Sequence, residues 1–168
     1  MKKICIFLMV IFGVFACDAP FEEQPEMDLK SGNRIERTIK FQKASGVMEV
    51  IQNMDACTAT GLQMIISGGG NATFLGNFTV YNKLCIDGDG NPVSPIWGEL
   101  TAANGDKIYT MVNTDPWVDE DGMHYLYKIR EGMSTGRFEG ATGYIDMYGI
   151  IDHINMTWDL KGEGMIKF

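Results

Sequence analysis

Basic residues are scarce. The 168-residue chain has 14 lysines and arginines against 22 aspartates and glutamates, a net charge of −8, and no basic cluster. A nucleic-acid binder needs the opposite balance to neutralise phosphates, so nucleic acid is not an expected partner. Long hydrophobic runs are also lacking. None approaches the roughly 20 apolar residues that a spanning helix needs. Histidine occurs only at His124 and His153, without metal-ligand spacing, so no zinc site is expected. No G-x-S-x-G turn is present to carry a serine nucleophile. No motif asks for a cofactor, no stretch has a helical period, and no repeat of fixed length occurs. What is present is ordinary globular composition, 45% hydrophobic and 21% charged, enough for one domain with a sizeable core. Glycine is in excess, at 20 residues. Turns are its expected place.

The N-terminus carries an address. Met1-Lys2-Lys3 is a short positive region, and residues 4–16 are apolar apart from Cys5 and Gly13. That run has the length of a signal peptide. It ends in Val14-Phe15-Ala16-Cys17, which resembles the cleavage box of bacterial lipoproteins. The resemblance implies a leader over residues 1–16, lipidation of Cys17, and the membrane as a partner through the lipid anchor. The other reading is an ordinary secretory signal cut near Ala16 or Ala19. Each buried methylene of an anchor contributes ~0.8 kcal/mol, so more than one acyl chain holds stably. Loss of Lys2 and Lys3 leaves 12 basic against 22 acidic residues, a charge of −10.

Residues 17–35 read as an acidic, extended tether. Four acids and two prolines fall within Cys17 to Glu26, too charged a stretch to pack. Acids just after the lipidated cysteine resemble the surface-export signals of Bacteroidetes lipoproteins. This implies an outer-membrane protein at the cell surface, with an inward-facing periplasmic placement as the alternative.

From Glu36 to Phe168 the dominant period is two. Met123, Tyr125, Tyr127 and Ile129 alternate with His124, Leu126, Lys128 and Arg130; Phe74 to Val80 and Ile154 to Leu160 alternate likewise. Successive strand side chains point to opposite faces, so each run has one dry face. Turn signals separate the runs: Gly68 to Asn71, Asp87 to Asn91, Asn104 to Asp106, Asp119 to Gly122, and Gly162 to Gly164. Short turns imply antiparallel hairpins. The expected strands are 36–42, 46–52, 62–67, 72–81, 96–102, 107–113, 123–130 and 143–150, with 153–161 as a closing segment. The expected fold is all-β, an antiparallel eight-stranded closed barrel.

Gly136-Arg137-Phe138-Glu139-Gly140-Ala141-Thr142-Gly143, with Leu160-Lys161-Gly162 downstream, resembles the C-terminal part of the allene oxide cyclase barrel family, whose barrel dirigent proteins share. Asn71 to Thr79 and Leu100 to Asp106 resemble patterns in secreted bacterial members. The resemblance spans roughly residues 62–164. It implies a calycin-like barrel with an apolar interior, commonly a homo-oligomer. The polar pocket residues of the plant cyclases, a glutamate among them, have no match between Ile35 and Gln63. Glu36 and Glu49 are there, but lone strand glutamates are ordinarily solvated, so no catalytic residue is assigned.

Cys57 and Cys85 remain once Cys5 leaves with the leader and Cys17 is lipidated. In an exported protein they are a candidate disulfide; the alternative is two buried thiols. Asp87-Gly88-Asp89-Gly90-Asn91 has the alternating oxygens of a calcium loop, but Pro92 and Gly98 stand where that loop needs glycine and glutamate. A hairpin turn is the expected role. The Asp115-Pro116-Trp117 loop is a candidate gate. Three functions fit: a binding module holding a small apolar ligand, an isomerase or cyclase in the same cavity, or a methionine-filled barrel that meets an envelope partner. The non-enzymatic readings rank first.

Overall fold

The alternation resolves into nine strands in a computed structural model that describes residues 35–168. The leader, Cys17 and tether residues 18–34 lie outside the described residues. The strands are β1 (Glu36–Gln52), β2 (Leu62–Ala72), β3 (Gly76–Ile86), β4 (Ile96–Ala102), β5 (Lys107–Val112), β6 (Trp117–Asp119), β7 (Gly122–Ile129), β8 (Thr142–Asp152) and β9 (Thr157–Lys167). The described helix is one 3-10 turn, Gly136–Phe138.

Eight strands form a closed antiparallel barrel in the ring order β1-β2-β3-β4-β5-β7-β8-β9. Closure between β5 and β7 is short, pairing Thr110 with Ile129 and Met111 with Lys128. β6 stands outside the ring, paired to the first residues of β7. Closing the sheet removes most exposed backbone edges.

The inward residues come from the predicted alternation. Phe78, Val80 and Leu84 on β3, and Trp158, Leu160 and Ile166 on β9, are all buried. One end of the barrel is plugged. Phe138 is fully buried there, with Phe74 edge-on at 5.8 Å and Phe74 edge-on to Phe168 at 5.9 Å. The Arg137 guanidinium sits 4.9 Å above the Phe138 ring and donates from Nη2 to the Leu75 carbonyl. Glu36 pairs with Lys167 at this same end, where Ile35 accepts from the Phe168 amide. Chain entry therefore lies at the plugged end.

Four expectations about boundaries need correction. Segments 36–42 and 46–52 are one strand with a bulge between Phe41 and Ala44. The extra residue lets β1 turn from β9 to β2 without breaking. Segment 72–81 is interrupted at Thr73 to Leu75, a turn in which Phe74 has φ +70°. Segment 153–161 begins in a turn, where Ile154 is exposed and Met156 has φ +53°. Gly68 to Asn71 and Gly162 to Gly164 are not turns but strand interiors, in β2 and β9. These glycines face inward or meet the next strand closely, so tertiary packing, and not chain reversal, explains them.

Candidate functional site

Small residues on one wall keep the barrel from filling. Gly46 on β1 pairs with Gly68 on β2 and with Trp158 on β9. A Cβ on Gly46 would lie 2.8 Å from Trp158 Cζ2, and one on Gly68 would lie 2.7 Å from the same atom. The indole thus lies across both glycines, and its Nε1 donates to the Ser67 carbonyl at 3.3 Å. Any larger residue at either position would have to push the ring towards the barrel axis or part β1 from β2, whose facing backbone the same Cβ would also meet.

The space left is a cavity of about 630 Å³. This falls within the usual range for small-molecule sites. It opens at the end opposite Phe138, between the Asn91–Ile96 loop and the Asn113–Pro116 segment, with His153 beside them. The wall from β1, β2, β8 and β9 is apolar, built from Met48, Met64, Ile66, Met147 and Trp158. Unbranched methionines adapt to differently shaped neighbours.

The opposite wall carries a polar row. Asn82, Gly98 and Thr110 are directly paired across β3, β4 and β5. Asn82 and Thr110 are buried, with 5% and 2% of their surface exposed. Asn82 Nδ2 donates to Tyr127 Oη at 3.1 Å, joining β3 to β7 across the two strands between. Burial pushes the Tyr127 hydroxyl well above the ordinary phenol range, so it stays protonated. Tyr125, also raised by burial, sets its hydroxyl against Met123 Sδ at 2.8 Å. Of the residues around the cavity, Asp115 carries the one carboxylate and His153 the one imidazole, and both are in mouth segments.

A second cluster lies outside the barrel, where β6 meets β7. His124 is stacked between Trp117, at 4.8 Å, and Tyr148, at 4.7 Å between ring centroids. Its Nδ1 meets Asp146 at 3.1 Å and its Nε2 meets Asp119 at 3.0 Å. Burial works against the imidazolium, but the hydrogen bonds to Asp146 and Asp119 outweigh it, and the pKa is raised. Lys161 extends the stack, 4.9 Å from the Tyr148 ring, and donates to Asp121. This cluster fastens β6, and with it the mouth segment Asn113–Pro116, to the barrel wall.

The other sequence candidates fall as follows. Cys57 and Cys85 form a disulfide between the β1–β2 loop and β3. Glu36 pairs with Lys167, and Glu49 is exposed on β1. The Asp87 carboxylate accepts from the Asp89 and Asn91 amides and the Asn91 side chain, capping its own turn. Among the described residues, no group of three or more His, Cys, Asp or Glu side chains is placed to hold a metal. Asp115 and Pro116 line the cavity mouth, while Trp117 belongs to β6 and is 42% exposed. Sequence reading passed over Asn82, Gly98 and Thr110. The signal was available, since Asn82 holds an inward position between Val80 and Leu84. Comparison with protein-family models, curated proteins and solved structures finds no match for this chain.

Proposed function

We propose that this protein is a non-enzymatic, lipid-anchored binding module of the bacterial outer membrane, and that its barrel holds a small apolar ligand. The carrying observation is the mouth-accessible apolar cavity of about 630 Å³. A barrel whose only task was external contact would gain stability by filling that space, because empty volume forfeits dispersion contacts. The leader and the box at Cys17 support the anchor. Chain entry puts Ile35 at the plugged end, opposite the cavity mouth. The resemblance to allene oxide cyclase barrels is consistent with this reading. A cyclase or isomerase in the same cavity is the second reading, favoured by the polar row at Asn82, Thr110 and Tyr127.

Native mass spectrometry of the mature domain, exported by its own route, tests the proposal. A discrete added mass that leaves on denaturation is the expected result, and its identity chooses between holding and converting. A clean apo mass, unchanged after exposure to apolar compounds, would sink the binding reading. Cys17→Ala is expected to move the protein from the membrane fraction to the soluble one.

A further inference from the structure

We infer that the cavity selects neutral apolar molecules bearing a carbonyl or hydroxyl oxygen, and that this oxygen docks against the polar row that Asn82, Thr110 and Tyr127 present to the cavity beside Gly98. The inference rests on the binding-module reading and names its ligand chemistry.

The row is built over a missing side chain. A Cβ built on Gly98 would lie 2.3 Å from Thr110 Oγ1 and 2.8 Å from Asn82 Oδ1. Both polar side chains therefore lean over Gly98 and fill the space a Cβ would take, so the glycine is what lets the row lie together on the wall. Gly98 is two residues in from Ile96 at the mouth, about 7 Å at ordinary strand rise. The surrounding surface is apolar, so a ligand gains most of its binding from burial and its orientation from this row.

The donor and acceptor inventory sets the chemistry. Asn82, Thr110 and Tyr127 together carry four N–H or O–H donors, and the Asn82–Tyr127 bond uses one. A ligand carbonyl or hydroxyl oxygen laid against the row can accept from the donors that remain, the Thr110 and Tyr127 hydroxyls and the second Asn82 N–H. A hydrocarbon would cover the same groups and leave them unpaired, which costs binding. An anionic head is disfavoured at this depth. The row is neutral, Tyr127 stays protonated, and no lysine or arginine is among the cavity residues. Burying an unpaired carboxylate carries a large desolvation cost. A carboxylate ligand would have to leave its head at the mouth near His153, with its tail across the polar row.

The test uses three probes of one shape: acetylnaphthalene, ethylnaphthalene and naphthoate, substituted at the same ring position. Each is titrated calorimetrically into the intact mature protein. The ketone is expected to bind about tenfold tighter than the hydrocarbon, the worth of one to two net hydrogen bonds. Naphthoate is expected to bind weakest. Thr110→Val and Tyr127→Phe keep side-chain volume and remove the hydroxyls. Combined, they are expected to bring the ketone-to-hydrocarbon ratio close to one. The ratio is the readout, so a general loss of affinity does not count as support. Gly98→Ala, with circular dichroism as a check on folding, is expected to lower the ratio as well. Ethylnaphthalene binding as tightly as the ketone, or naphthoate binding tighter than both, overturns the inference while leaving the carrier reading intact. So does a ratio that survives in the Val/Phe double variant. Failure of all three probes to bind overturns the carrier reading itself.

Discussion

Trp158 and Gly68 occupy what would otherwise be one volume: the indole Cζ2 stands 2.7 Å from where a Cβ on Gly68 would be. Two glycines on neighbouring strands thereby hold a large ring flat against the wall, and the centre of the barrel stays open. Gly68→Ala must displace the ring or part β1 from β2, since the same Cβ would also lie 2.7 Å from Gly46 Cα. Overpacking of this kind costs about 1–3 kcal/mol. Urea unfolding should show that loss, and probe binding should weaken together with it. Unchanged stability and binding would mean that the ring does not depend on the glycine.

His124 should make stability depend on pH. Its folded pKa is raised, so its contribution is full below the unfolded value near 6.5 and fades as pH rises through the folded value. Asp119 is held low, first by the Asp121 amide and then by His124 against the pull of burial, and its contribution is lost in strong acid. Asp146, Asp121 and Lys161 are the other charged groups in the cluster. Thermal melts of wild type and His124→Gln should therefore differ more at pH 5.5 than at pH 9. An equal gap at both values would assign the residue to stacking alone.

The same cluster anchors the mouth. With Asp119→Ala, β6 loses its tie to His124 and the Asn113–Pro116 segment loosens. Dissociation of a bound apolar probe should accelerate several-fold, beyond what the accompanying drop in melting temperature accounts for. A rate equal to wild type would show that β6 does not control exit.

The Cys57–Cys85 bridge closes a loop with a sequence separation of 28. In the chain-entropy account, a loop of that size is worth roughly 3–4 kcal/mol. The Cys57→Ala/Cys85→Ala pair should lose about that much in denaturant unfolding, and reductant should then have no further effect. Mass mapping that found two free thiols in oxidised protein would remove the basis for this.

The turn at Asp87 should ignore calcium. Its carboxylate is committed to the Asp89 and Asn91 amides, which hold its pKa low, with the Asn91 side chain as the leading cause. Titration with calcium should give no heat, and Asp87→Ala should lower the melting temperature slightly through the lost turn bonds. A saturable heat would restore the calcium-loop reading.

Much of the barrel was legible because strand side chains alternate strictly. Met123, Tyr125, Tyr127 and Ile129 could be assigned to one face from their spacing, and all four point inward. Glycine misled where it was most abundant. In Gly68 to Asn71 it signalled a turn, since a local reading credits glycine with chain reversal. At Gly68 its role is to admit Trp158, a residue 90 positions away in the chain, and at Gly69 and Gly70 it lets the neighbouring strands' backbone come close. The β1 bulge was misread for a related reason: a break in alternation looks the same whether the chain turns back or merely bends.

The sequence by itself determined the strand-forming stretches, the antiparallel pairing, the closed barrel and the expectation of an anchor at Cys17. Those follow from periodicity, turn chemistry and a short apolar N-terminal run, all local along the chain. Tertiary structure alone decided that the barrel is hollow and that Asn82, Gly98 and Thr110 form one row. It also put His124 between Asp146 and Asp119. Each of these depends on register between strands, and register arises from packing side chains that are remote in sequence into a shared volume.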